Sequence, residues 1–185
     1  TLKGRGPADL LEVSFALGYG MLRLAGKATG FAAARDMLRE AITSGRALEV
    51  FRRFIAAQGG DPRVCDDYSR LPAASEKVDL PAPTSGFLQA IDACQVGMAA
   101  VDTGAGRRRK DEAIRHGGGF VFQAKVGDRV ERGRPIVTVH SDRPERTAAV
   151  MERLARAIRI GPDPVPTPKL VSHLVDAAGV HPWAD

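Results

Sequence analysis

Apolar residues at Leu10, Leu11, Leu17, Met21, Leu22 and Leu24, with Ser14 on the same stripe, recur near helical spacing and predict a helix over residues 8–26. Pro7 suits a first helical position, and Gly26 supplies a stop. Thr29 can cap a second helix carrying Phe31, Ala34, Met37, Leu38 and Ile42, which Gly45 ends. Leu48, Phe51, Phe54 and Ile55 mark a third helix, closed by Gly59-Gly60. Each helix has a single apolar stripe. The three can therefore form a small bundle, or cover a sheet.

Residues 61–83 lose this periodicity. Asp61-Pro62, Asp66-Asp67, Leu71-Pro72 and Pro81-Ala82-Pro83 are turn and extended-chain chemistry, which predicts a connection. From Thr84 the pattern becomes strand-like at Gly86–Ile91, Phe120–Ala124 and Pro135–Val139, with a short helix at Ala93–Val101 and a glycine-rich basic loop at Thr103–Lys110. A last helix is predicted over 144–160, with Val150, Met151, Leu154 and Ile158 buried and Asp142/Glu145 spaced as a capping box. The prolines at 162, 164, 166 and 168 force an extended path; beyond them, 171–185 either adds a short helix or strand or frays. The pattern divides the chain into a helical part (1–60), a linker (61–83), a β-rich domain (84–161) and an extended tail (162–185), with no internal repeat.

Composition changes this picture little. A hydrophobic fraction of 44% with 26% charged residues is ordinary for a globular chain of 185 residues, and 5% aromatics leave the core to Leu, Val, Ile and Ala. No apolar run approaches the roughly 18 residues of a membrane span. Thr1–Pro7 lacks the apolar stretch of a signal peptide, and the absence of an initiator Met suits a fragment or a processed chain. The net charge of +5 can attract phosphate-bearing ligands, although acids and bases are interspersed through most of the sequence. Cys65 and Cys94 are too few for a disulfide framework or a zinc site, and a reducing, cytoplasmic setting is expected.

Several segments could carry chemistry. Lys125–Pro135, with Ala82–Gly86, looks like the folded-over hairpins of biotinyl and lipoyl carrier domains. Those carriers need a lysine at a hairpin tip, and His140-Ser141-Asp142-Arg143-Pro144 has none, so the scaffold reading survives and the carrier reading falls. His116-Gly117-Gly118-Gly119 is similar to an esterase oxyanion run, but no serine has the Gly-x-Ser-x-Gly surround, which leaves a glycine turn. Gly104-Ala105-Gly106-Arg107-Arg108-Arg109-Lys110 frees backbone N–H groups beside four cations. Gly104, Gly106, Arg107 and Arg108 are the candidate residues of a loop closing on a phosphate-containing ligand; the alternative is a solvated turn with a charged crest. Aromatics for stacking nucleic acid are not interleaved with these cations. His116, His140, His173 and His181 share no metal-ligand spacing, and Asp66-Asp67 and Asp111-Glu112 are adjacent pairs whose side chains diverge. No catalytic, cofactor-binding or metal-binding residue is assigned.

Gly4-Arg5-Gly6-Pro7-Ala8-Asp9-Leu10, Ser44–Glu49 and Phe54–Pro62 in the helical part, with Ser85-Gly86-Phe87, Val96–Ala99, Gly104–Arg107, Val126-Gly127-Asp128 and His140 beyond it, form a run of spaced motifs. On these residues the chain closely resembles thymidine and pyrimidine-nucleoside phosphorylases. Ile114-Arg115-His116 departs from the family pattern. The resemblance implies an α/β (α+β) class: a helical segment followed by a β-rich α/β-hammerhead or barrel-sandwich-like C-terminal domain. It also implies a two-lobed homodimeric parent that uses no cofactor and takes a pyrimidine nucleoside and phosphate. The parent's reaction would be phosphorolysis to free base and (deoxy)ribose 1-phosphate. The family's Lys-His-Ser-Thr-Gly-Gly-type phosphate segment and base-binding residues are expected upstream of Thr1. The implied role of these residues is support of the parent enzyme without activity of their own. A stand-alone binding module of the same fold is the competing expectation.

Overall fold

A computed structural model describes Thr1–Trp183; Ala184 and Asp185, the end of the predicted tail, lie outside the described residues. The chain divides into two compact units, one made of Thr1–Asp67 with the chain from Lys169 onward, the other of Tyr68–Pro168.

The first unit holds helices α1 (Ala8–Leu24), α2 (Phe31–Thr43) and α3 (Arg46–Ala57). Helix α1 packs on α2, where Phe15 and Ala34 are buried. The second helix starts from Gly30, in extended conformation and without a side-chain cap, so Thr29 does not cap it. After α3, Arg52 grips Asp66 with both terminal guanidinium nitrogens, tying the helix to the short turn at Pro62–Cys65. Of the alternatives for residues 171–185, the strand is the one that forms. Strands β7 (His173–Asp176) and β8 (Gly179–Pro182) form an antiparallel hairpin. Asp176 accepts the Ala178 N–H at 2.9 Å across the turn and lies 3.7 Å from Arg23 on α1. Trp183 then meets Tyr19 and Phe31 edge-on, at ring separations of 6.2 and 5.3 Å. Much of the helices' apolar stripe stays in solvent: Leu17 is 62% exposed, Met21 71%, Leu24 91% and Phe54 58%.

The second unit combines two three-stranded antiparallel sheets with two helices, the mixed α/β class expected. One sheet has β5 (Pro135–Ser141) between β1 (Glu76–Pro81) and β3 (Gly119–Phe122); the other has β2 (Gly86–Ile91) between β4 (Arg129–Val130) and β6 (Ile158–Gly161). Helix α4 (Ala93–Ala100) is capped by Asp92, whose Oδ1 accepts the Gln95 N–H at 3.1 Å. It packs on α5 (Pro144–Ala157), which turns Thr147, Val150, Leu154 and Ala157 inward at helical spacing. Leu88, Val137, Val139 and Leu154 are fully enclosed and form the centre of the core.

Three local expectations are corrected here. Glu76–Pro81, placed in the predicted linker, is a strand paired with β5 from Glu76↔Ser141 to Leu80↔Val137. The final helix stops at Ala157, because Ile158–Gly161 goes extended to pair with β2. The Asp142/Glu145 capping box does not form: the N-cap is Arg143, and Asp142 Oδ1 accepts the Ser75 N–H at 2.9 Å instead. Among the described residues no helix is long and apolar enough to cross a membrane.

Leu154→Ala should cost about 2–5 kcal/mol in urea unfolding of the β-rich unit, because the cavity cannot refill from a closed core. Val121→Ala, on a face of β3 that is 50% exposed, should cost under about 1 kcal/mol.

Candidate functional site

Helix α4 leads into a wide turn, Val101–Ala105, that kinks at Gly104, ends the helix and starts the basic loop. Gly104 has φ of 103°, a conformation that leaves no room for an ordinary side chain's preferences. Thr103, fully buried, donates its hydroxyl to the Ala100 carbonyl at 2.8 Å, and its own carbonyl accepts the Asp142 N–H at 3.1 Å. The Gly104 carbonyl accepts the Arg115 N–H at 2.8 Å, so the loop leaves the turn and returns to it.

Charge holds the intervening segment. Asp102 is 7% exposed, and its Oδ1 accepts from Arg108 Nε at 2.9 Å and also from Nη2; Arg146 Nη1 on α5 stands 3.8 Å away. Glu112 accepts the Arg108 backbone N–H at 3.0 Å and lies 3.7 Å from Arg143 Nη2. Arg109 pairs with Asp111 at 3.2 Å. The Arg108 N–H, and then Arg143 and Arg146, hold the Glu112 carboxyl below its ordinary value near 4.5. At the junction of β5 and α5, the buried Ser141 hydroxyl accepts the N–H of Arg143, the N-cap, at 3.1 Å, which fixes the start of the helix that bears Arg146.

The glycine run has a packing role. A Cβ at Gly117 would sit 2.6 Å from the Ala73 carbonyl carbon, and one at Gly118 would sit 2.9 Å from Thr103 Oγ1. Gly118 therefore closes against the Thr103–Ala105 turn and Gly117 against the Ala73–Ala74 backbone, consistent with a glycine turn at His116–Gly119.

The four candidate residues of the basic loop fall in one stretch but not in one environment. Gly104 is buried in the turn, Gly106 is extended, and Arg107 and Arg108 are exposed. Arg107 reaches the Lys110 carbonyl only at 3.5 Å, whereas Arg108 is engaged by Asp102. Sequence reasoning missed Asp102, Glu112, Arg143 and Arg146. A signal existed for the first: Asp102 is the acid that ends the mostly apolar run Val96–Val101, six positions before Arg108. The histidines do not converge; His140 on β5 stands opposite Lys77 and Gly119, while His181 lies 3.3 Å from Asp176 in the terminal hairpin. Among the described residues, no three His, Cys, Asp or Glu side chains group as metal ligands would.

Residues 87–161, which contain this loop and most of the β-rich unit, match the family model described as Pyrimidine nucleoside phosphorylase C-terminal domain. The unit is of that class. Nearly the whole chain is similar to curated pyrimidine-nucleoside phosphorylases: 44% identical to that of Geobacillus stearothermophilus over 171 residues, 92% of this chain and 39% of that protein. The Bacillus subtilis (strain 168) protein is 41% identical over 175 residues, 95% of this chain and 40% of its own length, and the Staphylococcus aureus (strain USA300) protein matches to the same extent. The chain corresponds to a C-terminal portion of a pyrimidine-nucleoside phosphorylase and spans about two-fifths of the length of these relatives.

Two outcomes check the site. Gly117→Ala should lower the thermal midpoint of the β-rich unit, since the new methyl meets backbone at 2.6 Å and backbone cannot rotate away. The second concerns Glu112: its folded-state pKa is depressed, so its contribution is present above the ordinary carboxylate range and disappears as pH falls through the depressed value. Amide exchange at 106–112, corrected for intrinsic rates, should be flat from neutral pH to about 5 and rise in more acidic solution. Glu112→Gln should exchange fast already at neutral pH.

Proposed function

We propose that the chain serves as the C-terminal part of a pyrimidine-nucleoside phosphorylase, whose reaction moves a (deoxy)ribosyl group from the pyrimidine base to phosphate. The observation that carries this is the 44% identity across 92% of the chain, in step with a mixed helix-and-sheet unit at the place the family model matches. The β-rich residues 84–161 are read as the family's hammerhead-like domain, reached through the segment at 61–83. The working enzyme is a cytoplasmic homodimer in this reading, and nucleoside and phosphate are held by the part of the protein that the relatives have and these residues do not match.

Phosphorolysis separates charge at the anomeric carbon and needs fixed donors for the attacking anion and for the departing base. In these 185 residues the candidate anion group is the Gly104–Arg108 stretch, and its role is closure rather than chemistry. The exposed stripe of Leu17, Met21, Leu24 and Phe54 supports the same assignment, because three one-sided helices bury their apolar face only against further structure. In this reading that structure is the sheet of the phosphorylase lobe.

The 185-residue chain purified by itself, given thymidine and phosphate, should release no thymine above the enzyme-free control. Turnover by this chain alone would overturn the assignment of a supporting role. The same preparation should bind a hydrophobic dye and self-associate in light scattering, and Leu17→Gln with Phe54→Gln should reduce both.

A further inference from the structure

The Asp102 carboxylate occupies the donors that Arg108 would offer to an external anion. Nε and Nη2 of Arg108 converge on one oxygen of Asp102, and the guanidinium otherwise faces solvent, the side chain being 51% exposed. A carboxylate as enclosed as Asp102 does not stay charged without a cation. A second cation stands ready: Arg146 Nη1, 3.8 Å from the same oxygen, is buried and makes no hydrogen bond among the described residues. Arg108 can therefore leave without stranding the charge. We propose that Asp102 is an internal stand-in for a phosphate group at Arg108, and that a phosphate-bearing ligand takes Arg108 while Arg146 moves onto Asp102. This rests on the reading of the loop as facing an anion.

The exchange conserves ion pairs. Before it, Asp102 holds Arg108 and Arg146 Nη1 lacks a hydrogen bond; after it, the ligand holds Arg108 and Asp102 holds Arg146. Each state leaves the enclosed carboxylate compensated, so affinity at Arg108 is set by the difference between two acceptors. Gly104 supplies the pivot, and Arg107, Arg109 and Lys110, all exposed, add to the field that meets the incoming anion.

The test is hydrogen exchange at amides 106–112 of the whole chain, titrated at constant ionic strength with inorganic phosphate and, in a separate arm, ribose 1-phosphate. Asp102→Asn should speed exchange without ligand and lower the half-protection concentration by at least about fivefold in one arm or both. Arg108→Ala should abolish the response. Arg146→Met, at a partly exposed position that tolerates the change, should raise the wild-type half-protection concentration by a similar factor, so the proposal stays testable if Asp102→Asn does not fold. A phosphate response in the wild type that neither Asp102→Asn nor Arg146→Met alters would overturn the exchange while leaving the anion-facing loop in place. No response in any variant, with exchange still faster in Asp102→Asn, would overturn both.

Discussion

Strand β5 is paired along both edges, with β1 on one side and β3 on the other, and its side chains at Val137 and Val139 are fully enclosed. The return side of the basic loop and the arginines that face it are tied to this strand or to its end. The β1 register brings Glu76 opposite Ser141, where its carboxylate accepts the Thr147 hydroxyl of α5 at 2.6 Å. Ser141 in turn sets Arg143 as the N-cap of the helix, and Asp142 ties the junction to Ser75 and to the Thr103 carbonyl. A one-residue slip of β5 would exchange its buried and exposed faces and would also move Arg143 and Arg146 off their carboxylates.

The electrostatics of the loop follow from that mechanical frame. Surface ion pairs contribute little by themselves, and Arg109–Asp111 is of that kind. Asp102 and Glu112 differ because one is enclosed and the other accepts a backbone N–H as well as facing Arg143, the N-cap of α5, and Arg146 on the helix. The arginine-rich crest is therefore less cationic than its sequence suggests. Of its three consecutive arginines, Arg108 and Arg109 have carboxylates against them, and the acids come from the helix end before the loop and from the loop's own return.

What was legible in the sequence was what local spacing controls. The three N-terminal helices, the strand at 86–91, helix α4 and the buried face of α5 all announce themselves by apolar period, and the motifs at Gly4–Leu10 and Gln58–Pro62 point to the family that the comparisons return. The misses have physical causes. Strand β1 offers only Val78 and Leu80 as apolar signals, because its third inward position is Glu76, satisfied by a residue 71 positions away. Residues 158–161 continue the apolar stripe of α5, and only pairing with β2 turns them extended. Asp142 has capping chemistry, but the Ser75 N–H claims it. The loop's glycines and arginines could be read directly, whereas their counter-charges could not, since Arg143 and Arg146 reach the site through the β5–α5 junction.

The terminal hairpin gives the helical unit an unusual order of assembly. Tyr19 and Phe31 are synthesised well before Trp183, the ring that closes over them. All of Tyr68–Pro168 is synthesised between these partners. During translation the later-born sheets can complete their core while the earlier-born helices still wait for their last contacts. The helical unit thus reaches its full set of ring contacts only after the sheets have been made.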